Sequence, residues 1–355
     1  MSQSACHTTH LPCLTRAIVS QLDQLANHRQ YRAMKWSVLI TRRIPAEGIE
    51  VLRRNDVGVV SHDNEAPLQR SELLELARDC DGVIVAGGER IDAEFFDAAP
   101  KLKAVSCVAV GYDHVDVAEA THRHIYVTNT PDVLTDATAD LTWVLILGIA
   151  RHVVEGDRHA RSGEWRGLSP TLLLGVDMAG KTIGIVGAGR IGAAVAKRAT
   201  GFSMGVLYLA RSAKPELEAM GAKQATFNEI LRESDFVSVH VPLTSETRHL
   251  FGEAQFQKMK PTAHFINVAR GAVHDEAALV KALREGWIAG AGLDVYEHEP
   301  KIDPELVKLP NTLLLPHIGS ATVETRRRMA ILASENLLAV LRGEKCKNVV
   351  NTEAL

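Results

Sequence analysis

The stretch Lys181-Thr-Ile-Gly-Ile-Val-Gly-Ala-Gly-Arg-Ile-Gly192 constrains this chain more than any other. Gly187, Gly189 and Gly192 stand in G-x-G-x-x-G spacing, with an apolar strand-like run, Ile183–Val186, before them and a helix-like run, Ile191–Arg198, after. Alone the pattern is common; between a strand and a helix it makes a phosphate cradle. The first glycine permits a tight turn, the second lets the backbone approach a pyrophosphate, and the third lets helix and strand pack closely. The helix start adds free N–H groups and a positive dipole end. Gly187, Gly189, Arg190, Ile191 and Gly192 are therefore the expected phosphate-binding residues.

A chain of 355 residues, 46% apolar and 23% charged, predicts a globular protein of two domains. Its net charge of -3 offers no basic footprint, so no nucleic-acid partner is expected. The longest apolar run, Leu141–Ala150, is too short to span a bilayer. The five scattered cysteines argue for a reducing compartment and a cytoplasmic location. Cys6, His7, His10 and Cys13 are residue types that bind zinc, but nothing around them has the apolar pattern to hold a cage, so no metal is expected. Residues 1–34, rich in Ser, Thr, His and Gln, read as a disordered extension.

From Trp36 the chain alternates strand-like and helix-like runs. Strands are expected at Ser37–Thr41, Val57–Ser61, Gly82–Ala86, Lys103–Val108 and Ile125–Thr128. A second series of six follows, at Thr182–Val186, Val206–Ala210, Phe236–Val241, His264–Val268, Gly290–Asp294 and Thr312–Leu315. This rhythm predicts parallel sheets with helices on both faces. Thr138–Ala150 is apolar on most faces and must be buried on most of them. Val323–Leu341 reads as a long closing helix.

Three polar residues each follow a predicted strand of the second series: Arg270, Glu299 and His317. Ligands of open α/β sheets bind outside the carboxyl ends of the strands. There an Arg can bind a carboxylate in bidentate fashion and polarise a carbonyl. A His can give a proton to the carbonyl oxygen, and a Glu can orient that His and favour its charged form. Together they suit reduction of a 2-keto acid to a 2-hydroxy acid.

The segments Gly187-Ala-Gly-Arg-Ile-Gly192, Asn267-Val-Ala-Arg-Gly-Ala-Val273, Gly292-Leu-Asp-Val-Tyr-Glu-His-Glu-Pro300 and Pro316-His-Ile-Gly-Ser320 resemble the signatures of the D-isomer-specific 2-hydroxyacid dehydrogenases. Thr41-Arg-Arg-Ile-Pro-Ala-Glu-Gly48 and Thr130-Pro-Asp-Val-Leu-Thr-Asp136 are most similar to the glyoxylate/hydroxypyruvate reductases among them. The resemblance implies an α/β fold of two doubly wound parallel-sheet domains. A Rossmann cofactor domain, 133–318, would be inserted into a flavodoxin-like split substrate domain, 35–132 and 319–355. It implies that Arg270 binds the substrate carboxylate, that His317 donates the proton and that Glu299 is its partner. It places Asp294, Pro242, Val268 and Gly319 on the cofactor, and Val110, Gly111 and Ser320 with the substrate. It further implies a homodimer with Thr138–Ala150 in the interface. Leu168 stands where animal reductases carry a second tryptophan after the one matching Trp165.

The strand ending Val206-Leu-Tyr-Leu-Ala-Arg-Ser212 lacks the acid that would hold the ribose 2′-OH of NAD. Arg211, Ser212 and Lys214 offer two cations and a hydroxyl to a 2′-phosphate instead, so NADP(H) is the expected cofactor, with NAD(H) the alternative. The competing functional readings are an NAD-linked dehydrogenase of a bulkier D-2-hydroxy acid and a cofactor-sensing, corepressor-like binding protein on the same scaffold.

Overall fold

The computed structural model describes residues 34–354; the expected N-terminal extension, apart from its last residue, and the Cys6/His7/His10/Cys13 cluster lie outside them. Twelve strands form two sheets among the described residues. In the first, β1 (Trp36–Ile40), β2 (Val57–Ser61), β3 (Gly82–Val85), β4 (Ala104–Cys107) and β5 (Tyr126–Thr128) run in the order β2-β1-β3-β4-β5. In the second, β6 (Thr182–Val186), β7 (Gly205–Leu209), β8 (Lys223–Gln224), β9 (Phe236–Val239), β10 (His264–Asn267), β11 (Gly290–Leu293) and β12 (Thr312–Leu314) run in the order β12-β11-β10-β9-β6-β7-β8. All pairings are parallel. The two orders are those of flavodoxin-like and dinucleotide-binding sheets, the latter extended by one strand.

Parallel strands covered on both faces are apolar on both faces. β3, β4, β9, β10 and β11 are buried at every residue, and Val83, Ile84, Val237, Phe265 and Ile266 are fully buried. The second sheet has one strand more than the sequence series: β8 is two exposed residues, held by its pairing with β7 rather than by burial. Side-chain caps fix several helix starts. Asp92, Asp116 and Asp275 accept the N–H of Phe95, Glu119 and Ala278, and Thr226 with Glu229 completes a capping box.

The chain divides into two compact units. One holds the described chain up to Val108, His114–Asn129 and Ala330 onward; the other holds Ala109–Asp113 and Thr130–Met329. The short segment Ala109–Asp113 is tied into the seven-stranded unit by the Thr130 N–H, which donates to the Ala109 carbonyl at 2.9 Å. The closing helix Val323–Leu341 begins in that unit and ends in the other. In the five-stranded unit, the Ser106 hydroxyl of β4 donates to the Ala333 carbonyl at 2.8 Å.

The helix Thr135–Ala150 starts one turn earlier than its apolar pattern suggested, because its first turn, Thr135-Asp136-Ala137, carries no apolar signal. It packs inside the seven-stranded unit: the Trp143 indole stacks on Phe202 at 4.4 Å and donates to the Val195 carbonyl. Val144 on the same helix stays more than half exposed. No single helix among the described residues is long and apolar enough to cross a membrane.

Candidate active site

The three glycines after β6 are there for three different reasons. Gly187 has φ +101°, and a Cβ on it would meet the His240 backbone at 2.9 Å. A Cβ on Gly192 would meet the Gly187 carbonyl oxygen at 2.3 Å, so the helix Arg190–Ala199 seats against the strand only without one. Gly189 has an ordinary φ of -76° and open space where its Cβ would be. Nothing in the protein itself requires a glycine there, whereas a dinucleotide pyrophosphate approaching the helix N-terminus would. The loop lies where the strand order reverses, between β6 and β9. The residues present thus fit a nicotinamide dinucleotide. Arg190 opens the helix and pairs with Asp132 at 2.6 Å, while Ile191 packs against the core.

After β7, Arg211 and Ser212 are exposed and Lys214 is half-buried. The Tyr208 hydroxyl shapes this turn by accepting the Lys214 N–H at 2.9 Å and donating to Glu218 at 2.7 Å. Glu246 is held below the usual carboxylate range, first by its bond to Thr244, and the Arg211 charge adds to this. Beyond β9, the Pro242 carbonyl accepts the Thr247 hydroxyl at 2.6 Å.

Arg270 follows β10 on a loop pinned from within. Asn267, fully buried, donates to the Arg270 carbonyl at 2.9 Å and to His274 Nδ1 at 3.0 Å, and accepts the Ala269 N–H at 2.9 Å. Burial pushes His274 down to about 3, so it is the neutral partner such a bond needs. Val268 is buried beneath this loop. The guanidinium Nε of Arg270 donates to Asp113 at 2.7 Å and one terminal nitrogen donates to the Ala269 carbonyl. A Cβ on Gly111 would lie 1.8 Å from the other terminal nitrogen, so the backbone beside Val110 comes into direct contact with the arginine. Gly271 has no room for a side chain either, since its Cβ would fall 1.9 Å from the Tyr296 carbonyl carbon. That close crossing brings the loop after β10 against the loop after β11.

Asp294 ends β11 and is almost wholly buried. Its carboxylate accepts the N–H groups of Ile318 and Gly319, each at 2.7 Å. Those bonds hold His317 at φ +54°, a left-handed conformation that costs about 1–3 kcal/mol in a non-glycine residue. Burial raises the Asp294 carboxyl despite the two N–H groups. His317 Nδ1 lies 2.8 Å from Glu299 Oε2, and Tyr296 N–H donates to Glu299 Oε1 at 3.1 Å. Burial works to raise Glu299, but the His317 bond and charge, the Tyr296 N–H and the Arg270 charge outweigh it and hold the carboxyl low. An ionised carboxylate only accepts, so His317 carries its Nδ1 proton. Its Nε2 has no partner among the described residues. Ser320 lies half-buried in the same loop, where its carbonyl accepts the Thr322 N–H.

The structure therefore brings Arg270, Glu299 and His317 together at the carboxyl ends of β10–β12, in the same sheet as the glycine loop. Trp165 and Leu168 stand apart in exposure, Leu168 at 96%. Reading the sequence missed Asn267, His274, Asp113 and Tyr296. Asn267 and Tyr296 sit inside the quoted motifs, but their roles lie in backbone bonds that no spacing reveals. Asp113 is 157 positions from the arginine it holds.

Residues 143–319 match the family model "D-isomer specific 2-hydroxyacid dehydrogenase, NAD binding domain". A glyoxylate reductase of Thermococcus onnurineus is 54% identical over 327 residues, covering 91% of this chain and 98% of that protein. One of Pyrococcus furiosus is 52% identical over 328 residues, covering 91% and 97%. A protein from Thermus thermophilus superposes with a TM-score of 0.83 at 48% identity, covering 88% of this chain and 99% of its own. An NADPH-dependent glyoxylate/hydroxypyruvate reductase from Sinorhizobium meliloti, solved with NADP and malonate, gives 0.79 at 34% identity, covering 90% and 98%. With the glycine loop and the three converging strand ends, these likenesses show that the chain belongs to the D-isomer specific 2-hydroxyacid dehydrogenases, nicotinamide-dependent oxidoreductases.

Proposed function

We propose that this enzyme uses NADPH to reduce glyoxylate to glycolate or hydroxypyruvate to D-glycerate. The observation that carries the reading is the Nδ1–Glu299 bond of His317, which leaves Nε2 open on a loop that Asp294 holds in place. The nicotinamide, when bound, supplies the hydride. Gly187, Gly189, Arg190, Ile191 and Gly192 would hold its phosphates, with Pro242, Val268, Asp294 and Gly319 along the rest of the dinucleotide. Arg211, Ser212 and Lys214 would hold a 2′-phosphate, and the absence of an acid at the end of β7 supports NADPH over NADH.

Arg270, with the Val110 and Gly111 backbone and Ser320, would fix the carboxylate of the keto acid. His317 would give its Nε2 proton to the carbonyl oxygen. Glu299 would stabilise the doubly protonated imidazole beforehand and orient it. The glyoxylate reductases among the relatives support a small substrate. The five-stranded unit would be the substrate domain and the seven-stranded unit the cofactor domain. Exposed Val144, Val153, Trp165, Leu168 and Leu174, all in the seven-stranded unit, support a homodimer; the enzyme would work in the cytoplasm. Steady-state rates on glyoxylate, hydroxypyruvate and pyruvate, each with NADPH and NADH, test the reading. Highest kcat/KM for one of the first two with NADPH is expected; a clear preference for pyruvate or for NADH would overturn it.

A further inference from the structure

We infer that the five-stranded unit carries an oxyanion-binding site of its own, built on Arg42. Strand order reverses between β1 and β3 in that sheet, and Arg42 and Gly87 stand just beyond the carboxyl ends of those two strands. Such a reversal is where open α/β sheets leave a crevice for ligands. The Thr41 hydroxyl accepts the Ala86 N–H at 3.3 Å, which ties the two loops together.

Arg42 Nε donates to Glu89 Oε1 at 2.6 Å, and the Glu89 side chain is 2% exposed against 27% for Arg42. A Cβ on Gly87 would lie 2.4 Å from the Arg42 guanidinium carbon, so the guanidinium lies directly against the Gly87 backbone. Neither terminal nitrogen of Arg42 has a partner among the described residues. Other cations of these loops are engaged: Arg43 with Asp63, and Arg70 and Arg90 with Asp92. Arg–carboxylate pairs are frequently two-pronged, which satisfies both oxygens. Here Glu89 Oε2 is buried without a donor, and the two-nitrogen edge of the guanidinium stays unspent. That edge matches a carboxylate or phosphate. Beside it, Gly88 leaves open space where a side chain would be.

The ligand is a free phosphate or carboxylate anion, taken by the two-nitrogen edge of Arg42. The test is the rise in Tm with millimolar inorganic phosphate, measured on wild type, Arg42→Gln and Gly88→Asp. Gly88→Asp puts a carboxylate next to the cation at a position with room for it, so it tests the site without removing the Arg42–Glu89 pair.

A phosphate-dependent rise in wild type that both variants abolish is expected. No rise in wild type, or a rise that the variants keep, overturns the site.

Discussion

At the carboxyl edge of the seven-stranded sheet, Arg270 rests its Nε on Asp113 and presses its guanidinium on Gly111. At the edge of the five-stranded sheet, Arg42 rests its Nε on Glu89 and presses on Gly87. The two constructions share their parts: an acid that aims the arginine, and a glycine that lets it lie against backbone. What stands beside them differs. Arg270 has its charge on Glu299, which holds His317. Arg42 has no imidazole in its hydrogen-bond network. As proposed, the arginine device would recognise an oxyanion in either place; of the two, Arg270 alone stands beside an imidazole hydrogen-bonded to a carboxylate.

The comparison breaks most sharply at His317. His317→Asn is expected to lower kcat on glyoxylate by about 10²–10⁴-fold while NADPH binding changes little; NADPH fluorescence titration beside steady-state kinetics checks both. An unaltered kcat would remove the chemistry from this sheet. Arg270→Lys keeps a charge but loses the fork, and should cost about 10–10²-fold in kcat/KM, mostly in KM. Equal kinetics for the two residues would mean that no bidentate clamp operates. Arg211→Asp should lower the NADPH efficiency by about tenfold or more; an unchanged efficiency refutes the 2′-phosphate reading.

Glu299→Gln removes the negative partner of the imidazole. The alkaline limb of the pH–rate profile should then move to lower pH, because the anion favours the protonated ring. A profile that stays in place would show that the 2.8 Å contact has no electrostatic role.

The glycines allow a finer cut within one loop. Gly192→Ala forces a Cβ onto the Gly187 carbonyl and should lower Tm by about 5 °C or more. Gly189→Ala meets open space at an allowed φ and should leave Tm unchanged while weakening NADPH binding. If NADPH affinity survives Gly189→Ala, the backbone there does not approach the cofactor.

Much of this was legible in the sequence, and the limits have physical causes. The strand ends came within one or two residues, because buried parallel strands are continuous apolar runs. β8 gave no such signal, since both of its residues are exposed. The short helices Ala93–Ala98 and Val117–His122 escaped the sequence reading: six residues carry no clear apolar stripe, and their caps, Asp92 and Asp116, are single polar residues. Arg270, Glu299 and His317 were readable as strand-end residues. Asn267 and Asp294, which pin the loops carrying two of them, act through backbone N–H and carbonyl groups, and those partners exist only once the chain has folded.

Acid stability should set the two sheets apart by a smaller margin. Burial drives His240 and His274 down to about 3 and His264 down to about 4, all in the seven-stranded unit. The unfolded chain protonates these groups near pH 6.5 and the folded one does not, so stability falls as pH drops from about 6.5 toward 4. Each of the three adds to that loss, His240 least because its surface is only partly covered. Hydrogen exchange at pH 5 against pH 7 should show protection lost first around β9 and β10 and later around β1 and β3.

The central claim is tested most directly by the product. Hydroxypyruvate incubated with the enzyme and NADPH should yield D-glycerate, one for each NADPH oxidised. L-glycerate, or no oxidation of NADPH with either hydroxypyruvate or glyoxylate, would contradict the proposed reduction.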